Sequence, residues 1–182
     1  MKIGIDMDDT ICRTTEVVQL KMKEFARKKN IDVLDIINDI YIKELFFNEY
    51  VNQIYNEVEI KRNVKDVIRR LRNKGNRIYI ITARSEKLAP SLDNVNYLTL
   101  KWLEKNDIVV DGIFSSSYGE KKADVCINNN IDIMIDDDPY NYKMLVERGI
   151  SCILFDDRDK YNLVDNYARN WLEVEELIAK MR

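Results

Sequence analysis

Five short apolar runs, at residues 3–5, 77–84, 108–114, 131–135 and 150–155, alternate with helix-like patterns along this chain. The patterns between them have helical spacing. Val18, Met22 and Phe25 fall at i, i+4 and i+7, and Val64, Val67, Ile68 and Leu71 at i, i+3, i+4 and i+7. Val95, Leu98 and Trp102 form another stripe, and Val174, Leu177, Ile178 and Met181 a last one. A strand that must cross a helix before the next strand produces parallel pairing. The expectation is therefore an α/β fold, a doubly wound, mainly parallel, Rossmann-like sheet of five strands. Asn30, Gly75 and Gly149 read as helix stops, Thr14 or Thr15 as the cap of the first helix, and Pro139 as a first-turn residue.

In a sheet of this kind ligands bind beyond the C-terminal strand ends. The polar residues at those ends are Asp6, Asp8, Thr82, Arg84, Asp136 and Asp137. The first run closes in Asp6-Met7-Asp8-Asp9-Thr10, three acids in four positions. Carboxylates so crowded repel, and need a compensating cation or raised pKa values. Oxygen ligands of this kind suit a hard ion such as Mg²⁺. The plainer reading is an acidic loop after an edge strand.

Composition narrows the chemistry. None of the 182 residues is histidine, which excludes Ser-His-Asp and Cys-His catalysis, phosphohistidine and histidine metal sites. The net charge of −3 gives no global attraction for polynucleotides or anionic membranes, although a local cation cluster can still hold a small phosphorylated metabolite. Cys12, Cys126 and Cys152 are too widely spaced for a disulfide framework or zinc site and read as small buried hydrophobes. No leader-like or membrane-spanning run is present, so the expected location is cytoplasmic.

The order of the parts resembles the four-motif series of the haloacid dehalogenase-like phosphohydrolases: Asp-x-Asp-x-Thr at Asp6 to Thr10, a strand ending in Thr82, a helix-opening lysine, and a strand ending in Asp136-Asp137. The resemblance implies Asp6 as the nucleophile that forms an aspartyl-phosphate and Asp8 as general acid/base. It implies Mg²⁺ held by Asp6, the Asp8 carbonyl and Asp136, with Asp137 orienting a metal-bound water. Thr82 and a lysine would hold the phosphoryl group. Lys121 and Lys122 both qualify, with Lys122 preferred. Arg84 would touch the substrate or brace the loop. Asp138 has no implied role beyond capping the next helix. Asp9 stands where many members have glycine.

Ile80-Ile81-Thr82-Ala83-Arg84 and Ile135-Asp136-Asp137-Asp138-Pro139 are similar to the motifs of the small-cap 5′-nucleotidase branch, which includes deoxyribonucleotidases. That implies a core of residues 1–11 and 63–182, a small helical cap inserted after the first strand at about 12–62, and a nucleoside monophosphate substrate. A homodimer is left open. Phe46, Phe47, Tyr50 and Tyr55 read as packing for the insertion, with Phe46 or Phe47 the candidates for stacking on a planar ligand. The rival readings are a phosphatase for sugar phosphates or other small phosphomonoesters, a phosphoacceptor signalling domain, and a non-catalytic binding module. The phosphoacceptor arrangement has its acidic pair before its acceptor, the reverse of the order here.

Overall fold

β1 (Lys2–Ile5) runs through the middle of a six-stranded, all-parallel sheet of order β3-β2-β1-β4-β5-β6. The other strands are β2 (Arg77–Ile81), β3 (Gly112–Phe114), β4 (Ile133–Asp136), β5 (Ser151–Phe155) and β6 (Tyr167–Ala168). The computed structural model describes residues 1–84, 95–115, 117–159, 161 and 164–181.

Alternate strand residues serve two cores. Ile3, Ile5, Ile78, Ile80, Ile133, Ile135, Ile153 and Phe155 face one layer, where α4 (Val64–Asn73) and α8 (Trp171–Lys180) lay down Val67, Leu71, Val174 and Ile178. Met134, Ile81 and Cys152 face the other, against Ala123 and Cys126 of α6 (Glu120–Asn128) and Leu145 of α7 (Pro139–Glu147). Continuous apolar strands follow from burial on both faces. Gly4 is required by this packing: a Cβ there would lie 2.7 Å from Met134 Sδ and 2.9 Å from Ile81 Cδ1. The three cysteines are buried and unpaired.

Between β1 and α4 stand α1 (Thr14–Lys29), α2 (Val33–Asn38) and α3 (Ile40–Glu57). The continuous helical character at 32–59 is broken at Asp39, whose carboxylate accepts from the amides of Tyr41 and Ile42 and so starts α3 afresh. Phe46 is not placed to stack on a ligand, while Phe47 is half-buried. Phe46 is wholly buried in a cluster with Phe25 and Tyr50, and Phe47 packs edge-on against Phe46. α5 (Val95–Lys105) joins this region through Trp102, whose indole N–H donates to the Val58 carbonyl at 2.9 Å. The side chain of Val95 lies outside the described residues, as do residues 160, 162 and 163 of the polar loop before β6.

Two further differences have local causes. β6 has two residues, too few to leave an alternating signature, and adds a sixth strand where five are expected. Thr14 and Thr15 do not cap α1 with their side chains; Arg13 occupies the cap position, while the Thr14 and Thr15 hydroxyls donate back to Asp8 and Asp9. Asn30, by contrast, ends α1 in the left-handed region at φ 54°. Asp138 caps α7 by accepting from the Tyr140 amide, with Pro139 in the first turn. Among the described residues no helix is long and apolar enough to cross a membrane.

Candidate active site

Parallel pairing of β1 with β4 sets Ile5 beside Ile135, and the Asp6 amide donates to the Ile135 carbonyl at 2.9 Å. Asp6 and Asp136, 130 positions apart in sequence, thereby emerge together at one sheet edge. Pairing of β1 with β2 sets Ile5 beside Ile80, which brings Thr82 to the same edge. Thr82 is buried, and its hydroxyl oxygen accepts from the Arg84 amide at 3.2 Å.

Lys122 enters from the first turn of α6. Its Nζ lies 2.7 Å from Asp6 Oδ1 and 2.6 Å from Asp136 Oδ2, and its side chain is wholly buried. Burial favours the neutral amine, but the Asp136 and Asp6 carboxylates outweigh it and hold the ammonium charged. Lys121, one position earlier, is exposed to solvent and makes no part of this cluster. Helix phase separates the two lysines. Asp136 is further held by the Asp138 amide at 3.0 Å and the Asn141 amide nitrogen at 3.1 Å, while Asn141 Oδ1 accepts from Gly119 N at 2.8 Å. Asn141 thus ties β4 to the turn that launches α6, a role with no signal in the sequence.

Asp8 faces a different cation. Burial acts to raise its pKa, yet Arg84 and the Thr14 hydroxyl prevail and lower it. Arg84 grips both carboxylate oxygens, with Nε 2.9 Å from Oδ2 and Nη2 2.6 Å from Oδ1. The Thr14 hydroxyl donates to Oδ1 at 2.5 Å. The guanidinium also stacks on Tyr55 of α3, 4.0 Å from the ring centroid. Arg84 therefore braces Asp8, and its Nη1 is buried with no hydrogen-bond partner among the described residues. Tyr55 is thus an aromatic ring set beside the Arg84–Asp8 pair, a placement with no signal in the sequence. Asp9 adopts φ 58°, a left-handed conformation that acidic residues tolerate and glycine adopts freely.

Asp137 is half-buried and accepts from the Thr10 hydroxyl at 3.0 Å. Burial first, then the charges of Asp136 and Asp9, push its pKa up to about 7. Asp6 is driven well above the usual carboxylate range by burial and by Asp136, Asp137 and Asp8, with Lys122 pulling the other way. Among the described residues no three acid, cysteine or histidine side chains form a ready-made metal cage. The chemistry of the donors nonetheless fits a divalent ion: Asp6, Asp136 and Asp137 offer hard oxygens, and Lys122 alone does not balance their charge.

No protein-family model matches the chain. A nucleotidase of Clostridium acetobutylicum is 26% identical over 195 aligned positions, covering all of this chain and 95% of the relative. Among solved structures, a haloacid dehalogenase-like hydrolase from Streptococcus pneumoniae superposes with a TM-score of 0.73 at 15% identity, covering 100% and 98% of the two chains. A haloacid dehalogenase phosphatase from Thermococcus onnurineus gives 0.72 at 16% identity with 98% of each covered. A Bacillus subtilis hydrolase of the same superfamily, bound to magnesium, gives 0.70 at 14% identity with 97% of each covered. The strand order and the likeness over the whole length give this chain the fold of the haloacid dehalogenase-like hydrolases, with its acids, Thr82 and Lys122 gathered at the C-terminal strand ends.

Proposed function

We propose that this hydrolase removes the phosphate from nucleoside monophosphates through an aspartyl-phosphate on Asp6, assisted by Mg²⁺. The observation that carries the reading is the junction of Asp6, Asp136 and Lys122, with Lys122 Nζ within 2.7 Å of both acids. Similarity to a nucleotidase over the whole chain supports the substrate class.

Asp6 attacks phosphorus, the ester bond breaks, and the alcohol leaves; water then cleaves the acyl phosphate to return the carboxylate. Lys122 sets one cation against the phosphoryl oxygens and keeps Asp6 oriented. Thr82, at the neighbouring strand end, donates its hydroxyl to the same group. Asp8 delivers the proton to the leaving oxygen and later takes one from water, which requires its grip by Arg84 to loosen in the reacting complex. Asp6, Asp136 and the Asp8 carbonyl would hold the metal, with Asp137 beside them. When bound, it offsets the negative charge that would otherwise keep the phosphate from Asp6. The helices α1 to α3 form the cap, and Tyr55 reaches the site from it.

Phosphate release from a panel of nucleotides and sugar phosphates, with and without Mg²⁺, tests this directly. Nucleoside monophosphates should be turned over fastest, and Asp6→Asn should abolish release while circular dichroism shows an intact fold. Full activity in Asp6→Asn removes the nucleophile assignment; preference for sugar phosphates removes the substrate class.

A further inference from the structure

Beside the acids lies a groove of opposite character. A cavity of about 260 Å³ is lined by Arg13, Lys61, Arg62, Arg158 and Arg169, against two acids, Glu16 and Asp157. Phe155 and Trp171, both buried, also line it. Five cations facing two anions are notable in a chain whose net charge is −3. They come from the start of α1, the segment before α4, the loop after β5 and the end of β6, so no single helix face explains their meeting.

The internal pairing leaves Arg62 over. Lys61, buried, is taken by Asp157 at 2.6 Å. Arg13 pairs with Glu16 at 3.3 Å, and Arg158 with Asp9 at 3.4 Å and Glu16 at 3.7 Å. Arg169 pairs with Asp159 at 3.0 Å, and Arg62 is exposed and has no ion-pair partner among the described residues. Like charges gathered around a concave wall raise the local potential and concentrate counter-ions there. Guanidinium groups suit the oxygens of phosphate, which they meet through paired N–H donors.

The groove also adjoins the acids. A second, smaller cavity is lined by Asp9, Asp137 and Asp156 and shares Phe155, Asp157 and Arg158 with the first. Arg158 stands on the boundary, donating to Asp9 at 3.4 Å while it pairs with Glu16 on the groove side.

We propose that this basic groove is a second anion site, which holds a phosphate-type group distinct from the one cleaved at Asp6. The volume suits a small molecule, and the acidic whole disfavours a polynucleotide. The anion is either a second phosphate on the substrate itself, an assignment that rests on the proposed phosphatase reading, or a separate small phosphate compound.

The full-length protein and its Arg62→Gln/Arg169→Gln double variant separate these cases. Both side chains are exposed, and neither touches the acids at the sheet edge. With a substrate-borne anion, KM for a nucleoside 3′,5′-bisphosphate falls about tenfold below that for the 5′-monophosphate. The double variant loses this gain while its monophosphate kinetics stay unchanged. For a separate anion, inorganic pyrophosphate binds the full-length protein saturably in isothermal titration calorimetry, and binds the double variant about tenfold more weakly. Equal pyrophosphate affinity in the two proteins, together with equal discrimination between the two nucleotides, overturns the proposal. If no phosphomonoester is cleaved yet pyrophosphate affinity drops in the double variant, the phosphatase reading falls and the groove stands.

Discussion

Lys122 is the residue on which the centre turns, because it is a wholly buried ammonium between two buried carboxylates. Removing one member of a buried charge cluster leaves the others uncompensated, at a cost of about 3–5 kcal/mol. Lys122→Met should therefore lower the urea-unfolding free energy by about that amount, and should end phosphate release. Lys121→Met, on the solvent side, should change stability by no more than about 0.5 kcal/mol. Equal effects of the two substitutions would sink the assignment. The pair also shows what the sequence makes legible at this scale. Residue types and their order point to Asp6, Asp136 and a lysine at a helix start. Which lysine turns inward depends on the rotation of α6 against the sheet, and adjacent identical residues carry no record of that. Arg84 illustrates a related gap, since bracing Asp8 and touching a substrate call for the same side chain, and its grip on Asp8 is visible only in the geometry with Tyr55 and Thr14.

At the scale of elements, long periodic helices and buried strands are legible because burial imposes their spacing. α4 displays Val64, Val67, Ile68 and Leu71 inward, as the pattern requires, and Gly149 and Asn30 stand at their stops. Elements set by a single hydrogen-bonded side chain escape the pattern. Asp39 breaks a stretch that contains neither glycine nor proline, because its carboxylate satisfies the amides of Tyr41 at 2.8 Å and Ile42 at 3.2 Å. α2 has a parallel device, the reciprocal pair of Asp32 and Asp35. Asp39→Ala should cost about 1 kcal/mol in chemical denaturation, as N-cap losses do. Asp39→Ser should recover most of it, since a hydroxyl accepts the same bonds. An Asp39→Ala protein as stable as the parent would mean that packing against α1, and not the cap, fixes the start of α3.

Across the whole molecule, the last helix closes the structure onto parts made far earlier. Trp171, wholly buried, donates its indole N–H to the Thr10 carbonyl at 3.0 Å, so the C-terminal helix steadies the loop that carries Asp6 and Asp8. On the outer side, Glu175 of α8 accepts from Arg70 at 2.7 and 2.9 Å and from Lys74 at 2.8 Å, binding α8 to α4. These hydrogen bonds, Arg70 first and Lys74 next, hold the Glu175 carboxyl down at about 2 against the usual 4.5. A carboxyl depressed in the folded state adds stability above its unfolded pKa and loses it as pH falls toward the folded value. The window here runs from about 4.5 down to about 2. The partners are half-exposed, so solvent screening limits the contribution at neutral pH to about 1 kcal/mol. Glu175→Gln should be less stable than the parent by that amount at pH 7, and the gap should narrow steadily between pH 4.5 and pH 3. High salt should narrow it too. A gap that stays constant with pH and salt would show that shape and hydrogen bonding, not charge, join α8 to α4.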